Sequence, residues 1–163
     1  MLIQIKNKDT LIAGNFKFKC CIGKNGLSNK KREGDKTTPK GLYKLGPLYY
    51  RSDRVKKPIT NLSKKKIKIN MGWCNDSKSK FYNEEIKIKK NISYEKMFRK
   101  DNKYDYIIFI KYNYNTKIPG NGSAIFIHLT KDYKPTAGCI AVLKKDFQII
   151  LKLISKNTKI KIF

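Results

Sequence analysis

Short apolar runs broken by polar turns, with few long amphipathic stretches, set the rhythm of this chain. Residues 2–5 and 11–21 alternate apolar and polar positions and are bounded by Asn7-Lys8-Asp9 and Gly23-Lys-Asn-Gly26, which predicts an opening β-hairpin. Residues 27–41 are polar and punctuated by Gly34, Pro39 and Gly41, a loop leading into a strand at Leu42-Tyr-Lys-Leu45. Residues 49–63 follow neither period and read as an irregular insertion. Residues 67–71 form a short strand, Trp73 to Ser77 a turn, and residues 93–99 a short helix capped by Ser93.

The strongest strand signals come later. Residues 104–114 are rich in Tyr, Ile and Phe, Lys117 to Gly122 is a turn cluster, and Ser123-Ala-Ile-Phe-Ile-His128-Leu129 is almost continuously apolar. His128 therefore falls at the end of a buried strand. After the loop Pro135-Thr-Ala-Gly138, a further strand begins at Cys139, residues 144–154 carry apolar positions on one helical face, and residues 159–163 alternate as an edge strand. The elements add up to a mainly β domain spanning residues 1–163, with no internal repeat.

Composition narrows the function classes. The chain of 163 residues carries 38 Lys and Arg against 12 Asp and Glu, a net charge of +26, and attracts polyanions. Only Arg32, Arg51, Arg54 and Arg99 are arginine, the side chain suited to bidentate contact with phosphates and bases. That imbalance, with abundant Ile and Asn, favours drift in composition over a dedicated phosphate reader, and no specific nucleic acid is expected. No transmembrane segment is expected, since no stretch approaches the roughly 20 apolar residues of a span, and no signal-peptide core is visible. Cys20, Cys21, Cys74 and Cys139 make no C-x-x-C pair, so neither a metal nor a cofactor is expected.

The chemistry concentrates in one stretch, where the only histidine, His128, stands eleven residues before Cys139. A thiol of ordinary pKa near 8.5 is a weak nucleophile at neutral pH until an imidazole takes its proton. Gly138 permits a tight backbone and leaves nearby amides open to a carbonyl oxygen, each such donor contributing about 3 to 4 kcal/mol in related chemistry. Spacing by itself leaves two readings open, a Cys–His site or a packed small residue beside a core histidine.

Ser123-Ala-Ile-Phe-Ile-His128 with Pro135-Thr136-Ala-Gly138-Cys139-Ile140 resembles the catalytic signature of the L,D-transpeptidase family of YkuD type. Cys21-Ile-Gly-Lys24, Lys31-Arg-Glu-Gly34-Asp-Lys-Thr-Thr38-Pro39-Lys-Gly41, Tyr49-Tyr-Arg51-Ser-Asp-Arg54, Gly72-Trp73-Cys74-Asn-Asp76 and Pro119-Gly120-Asn-Gly122-Ser123 are similar, in order, to blocks of a compact proteobacterial branch. The likeness covers most of residues 20–150. Two positions depart from the common motif: Thr136 stands where Ser is more frequent, and Ala141 where many members carry a polar residue.

The resemblance implies a YkuD-like β-sandwich with a few short flanking helices and a peptidyl transfer through a cysteine thioester. Cys139 would be the nucleophile, His128 the base and acid, Gly138 part of the oxyanion hole through its backbone, and Thr136 the residue ordering the loop. The implied partners are diaminopimelate-containing peptidoglycan stem peptides, with a second stem amine, or water, as acceptor. Tyr50, Arg51, Trp73 and Asp76 are the substrate-binding candidates. The family implies the cell envelope, the periplasm, while the lack of a visible signal peptide leaves the cytoplasm open. The alternative is a non-catalytic basic module that binds nucleic acid or an anionic wall polymer.

Overall fold

The computed structural model describes residues 1–163. Three strands open it, β1 (Leu2–Lys6), β2 (Thr10–Ala13) and β3 (Phe16–Lys19), followed by the two-residue strands β4 (Leu27–Ser28) and β5 (Thr38–Pro39) and the long β6 (Gly41–Tyr50). The middle of the chain supplies β7 (Lys64–Lys66), β8 (Met71–Cys74), β9 (Glu85–Lys87) and β10 (Tyr94–Lys96). The last third holds β11 (Tyr106–Ile110), β12 (Phe126–Thr130), β13 (Ile140–Leu143), α1 (Lys144–Leu153) and β14 (Lys159–Ile162). The architecture is mainly β, as expected, but with one helix where a few were predicted. That helix is not long and apolar enough to cross a membrane.

The main sheet runs in the order β13-β12-β11-β6-β14-β1-β2-β3, with β7 also paired to β6. Its two ends meet. Just after β3, Cys21 exchanges a pair of 2.9 Å backbone hydrogen bonds with Ala141 of β13, and Gly23 bridges to Thr136. The sheet thus closes into a barrel-like sandwich without a long bare edge.

β6 serves both halves, pairing Gly41 to Lys44 with β14 and Leu45 to Tyr50 with β11. Between them the β6–β11 register slips by one residue, so Ile108 faces Leu48 while Ile110 faces Leu45. This bulge, beside Gly46 and Pro47, lets Leu45 and Leu48 point into the same core although they lie three apart.

Two cores result. The larger fills the barrel with the inward residues of the sheet, including Ile3, Ile5, Leu48, Ile108, Ile127 and Val142, and α1 adds Phe147, Ile150 and Leu151. The smaller lies on the outer face of β6, β11 and β12, where Tyr49, Ile107, Phe109 and Phe126 pack against Trp73 and Met97. A three-stranded sheet, β10-β8-β9, brings in this cover.

Several local expectations change. Residues 93–99 hold strand β10, because Tyr94, Glu95 and Lys96 pair with Cys74, Trp73 and Gly72 of β8. A two-turn helix is marginal alone, and the ladder satisfies the backbone instead. The strand expected at 67–71 splits into β7 before it and β8 after it, with a turn closed by the Met71 N–H on the Lys68 carbonyl, and Trp73 and Cys74 are strand rather than turn. Tyr49 and Tyr50 belong to β6, not to the irregular insertion. β14 is an internal strand, parallel to β1 and antiparallel to β6; its alternation marks one buried face, not an edge.

Gly46 tests the bulge. A Cβ there would stand 2.7 Å from Cδ1 of Phe109, whose ring is buried. Gly46→Ala is expected to cost about 1 to 3 kcal/mol in urea unfolding through overpacking, and an unchanged midpoint would show that the ring yields freely.

Candidate active site

β12 and β13 run parallel with His128 opposite Ala141. Cys139 precedes Ala141 by two residues, and Phe126 precedes His128 by two, so period-2 alternation turns all four to the same outer face. There Cys139, His128 and Ala141 line a cavity of about 390 Å³.

Cys139 is buried, and its sulfur sits in backbone contacts. The Phe126 N–H donates to Sγ at 3.4 Å, and the thiol donates to the Ala124 carbonyl at 3.3 Å. Burial, reinforced by the Glu95 carboxylate, pushes the thiol well above its ordinary pKa. His128 is also buried, and its Nδ1 lies 2.9 Å from the Leu129 carbonyl. A carbonyl only accepts, so the proton sits on Nδ1 and Nε2 is the free base. Burial pulls the imidazole down to about 4. Thiol and imidazole are thus both neutral at pH 7, and no hydrogen bond joins them.

The loop before Cys139 is tied on several sides. Thr136 Oγ1 donates to the Cys139 carbonyl at 2.6 Å and accepts the Gly138 N–H at 3.1 Å. The Gly138 carbonyl accepts from Thr38 Oγ1 at 2.7 Å, and that hydroxyl accepts the Gly23 N–H. Gly138 has φ +142, and a Cβ would approach the Thr37 carbonyl to 2.8 Å, so glycine is required. With the Gly138 N–H engaged by Thr136, the Cys139 N–H is left as the unpartnered amide beside the sulfur.

A family model, the L,D-transpeptidase catalytic domain, YkuD, matches residues 3–162. The chain belongs to that family. Comparison with curated proteins gave no match.

The structure brings four of the residues singled out in this member of the family to one cavity, namely Cys139, His128, Gly138 and Thr136. The other four lie elsewhere. Tyr50 points into the barrel core. Arg51, 3% exposed, has its guanidinium gripped by both Asp53 oxygens, donates to the Arg99 carbonyl and stacks on Phe98 at 3.5 Å. Trp73 is buried, and its Nε1–H donates to Asn83 Oδ1 at 2.9 Å. Asp76 accepts the Lys78 N–H within a turn, one residue past the cavity-lining Asn75. None of these four lines the cavity, and folding already engages the polar atoms of Arg51 and Trp73 internally. Trp73 bears on the site indirectly: Asn83 Oδ1 also accepts the Ala124 N–H at 3.1 Å, which fixes the residue whose carbonyl accepts the hydrogen bond of the thiol.

Other cavity residues escaped sequence reasoning. The Tyr104 ring lies 5.5 Å from the His128 ring, and its hydroxyl donates to Glu95. Arg99 sits 5.0 Å above Tyr104 while its fork holds Asp101. Lys31 also lines the cavity, with its side chain only 3% exposed. Nothing marks these against the many Lys and Tyr of the chain; only the buried strand pair and the loop near Gly34 hint at their neighbourhood. No three His, Cys, Asp or Glu side chains converge as a metal site.

Burial of His128 has a pH signature. The unfolded imidazole binds protons below about 6.5 and the folded one only near 4, so the unfolded state holds more protons between those values and stability falls as pH drops through that window. The loss at the acid end is about 3 kcal/mol at most. His128→Asn is expected to flatten this limb in urea titrations from pH 7 to 4; a limb of unchanged depth would contradict a neutral buried imidazole.

Proposed function

We propose that this L,D-transpeptidase domain cleaves peptidoglycan stem peptides through a Cys139 thioester. The observation that carries the reading is the seating of Cys139 and His128 on one face of adjacent parallel strands, facing one cavity. Because both groups rest neutral, attack and proton transfer are coupled. The thiol leaves the Ala124 carbonyl, Nε2 of His128 takes its proton, and Sγ bonds to the carbonyl carbon beside the diaminopimelate centre. The Cys139 N–H meets the developing oxyanion. An imidazolium formed in a site that disfavours charge is a strong acid, so it passes its proton readily to the leaving amine.

The thioester then accepts the amine of a second stem, or water, which would make the product that of a carboxypeptidase. His128 again takes the proton of the attacking group. Thr136 keeps the loop in register through its bonds to Gly138 and Cys139, and Gly138 contributes its backbone shape rather than its N–H. A substrate of this kind belongs to the cell envelope.

Muropeptide mass spectrometry after incubation with a tetrapeptide stem should show loss of the terminal residue and, with acceptor present, joined stems. Cys139→Ser is expected to abolish both, and His128→Ala to slow acylation at least about 100-fold. The acylation rate should rise as His128 loses its proton near pH 4 and stay flat through neutrality. Equal acylation of the His128→Ala protein, or a rate climbing with the thiol's own ionisation, would defeat the mechanism.

A further inference from the structure

Lys31 is the least expected side chain in the cavity. Its ammonium is almost wholly withdrawn from solvent, yet only one bond holds it, to Asp35 Oδ1 at 2.8 Å. An ammonium carries three donors, so two N–H groups of this cavity-lining residue have no protein acceptor. A buried cation with idle donors costs free energy unless something else uses it.

Its placement is specific. Nζ lies 3.5 Å from the point where a side chain on Gly138 would begin, and the Lys31 charge is felt at the Cys139 sulfur, where it favours the ionised form. Gly122 makes room for the stem, since a Cβ there would stand 2.7 Å from Cε of Lys31. Asp35 is itself well anchored, accepting the Arg32 and Thr37 N–H groups at 2.7 and 2.8 Å. Burial opposes its ionisation, but the Lys31 and backbone bonds hold its carboxyl at about 2. The lysine is thus fixed from its charged end and along its stem, with Nζ beside Gly138.

Thr136 has taken the Gly138 N–H, which leaves the thioester chemistry with the Cys139 N–H as the single adjacent amide donor. We propose that the Lys31 ammonium completes the oxyanion hole, donating to the carbonyl oxygen as it becomes negative. The assignment rests on the acyl-transfer reading above. In balance, the Cys139 sulfur forms a bond to the carbonyl carbon, the π electrons move to oxygen, the thiol proton goes to His128, and Lys31 keeps its own protons. When the oxyanion collapses, the bond to the leaving amine breaks, His128 protonates that amine, and the contact to Lys31 relaxes.

The test compares two reactions of one thiol. Acylation by p-nitrophenyl acetate passes through a tetrahedral oxyanion; alkylation by iodoacetamide does not. The ester carries no carboxylate, so its rate is blind to any use of Lys31 in binding a substrate carboxylate. In Lys31→Met, acylation of Cys139 is expected to fall by about 100-fold or more, while alkylation at the same pH falls less than about tenfold, the part due to the lost charge beside the sulfur. Lys31→Gln, which keeps N–H donors without the charge, should fall between wild type and Lys31→Met. The ratio of the two rates, taken on one sample, cancels any inactive fraction. A ratio unchanged in both variants would overturn the assignment, as would a defect confined to the KM of a stem peptide. Wild-type protein that is alkylated at Cys139 yet never acylated would instead remove the acyl-transfer reading itself.

Discussion

Everything at this site depends on β12 being buried on both faces. Ile127 and Leu129 complete the barrel core, while Phe126 and His128 face the smaller core behind the β10-β8-β9 sheet. A strand in that position cannot slide, because a slip of one residue would send His128 into the barrel and an isoleucine into the cavity. β13, held to it in parallel register, inherits the same precision, and so does the sulfur just before it. The pair is aligned by the packing of its neighbours and needs no bond of its own.

The same burial sets the electrostatics. A chain with net charge +26 would be expected to keep a reactive thiol ionised, but the local environment decides otherwise. Withdrawing Cys139 and His128 from water favours the neutral form of each, and two of the cations lining the cavity are tied to carboxylates, Lys31 to Asp35 and Arg99 to Asp101. A neutral resting thiol is also a poor target for casual oxidation, since the thiolate is the reactive species.

What the sequence made legible follows from which physics is local. Strand alternation, the α1 face and the Gly-Cys loop after the sole histidine depend on neighbours in the chain, and they could be read directly. The family blocks extended that to fold class. Whether Tyr50, Arg51 and Trp73 line the cavity could not be read from the sequence, because a polar aromatic or an arginine looks the same whether it borders a cavity or packs in a core. The parity of β6 relative to its bulge decides it, placing Tyr49 outward and Tyr50 inward. Lys31 was illegible for the opposite reason: among so many lysines, only three-dimensional closure reveals the one removed from solvent. β14 misled because alternation reports a buried face and says nothing about how many strands flank it.

The barrel's closure also bears on when the site comes into being. Thr38 reaches Gly138 across 100 positions of sequence, and Cys21 reaches Ala141 across more. Contacts between such distant segments form late and slowly, since the loop entropy must be overcome before any of them is rewarded. During synthesis the first hairpin can form early, but the loop that carries the thiol has nothing to fold against until nearly the whole chain has emerged. Assembly order thus keeps the nucleophile unformed until the cavity around it is complete.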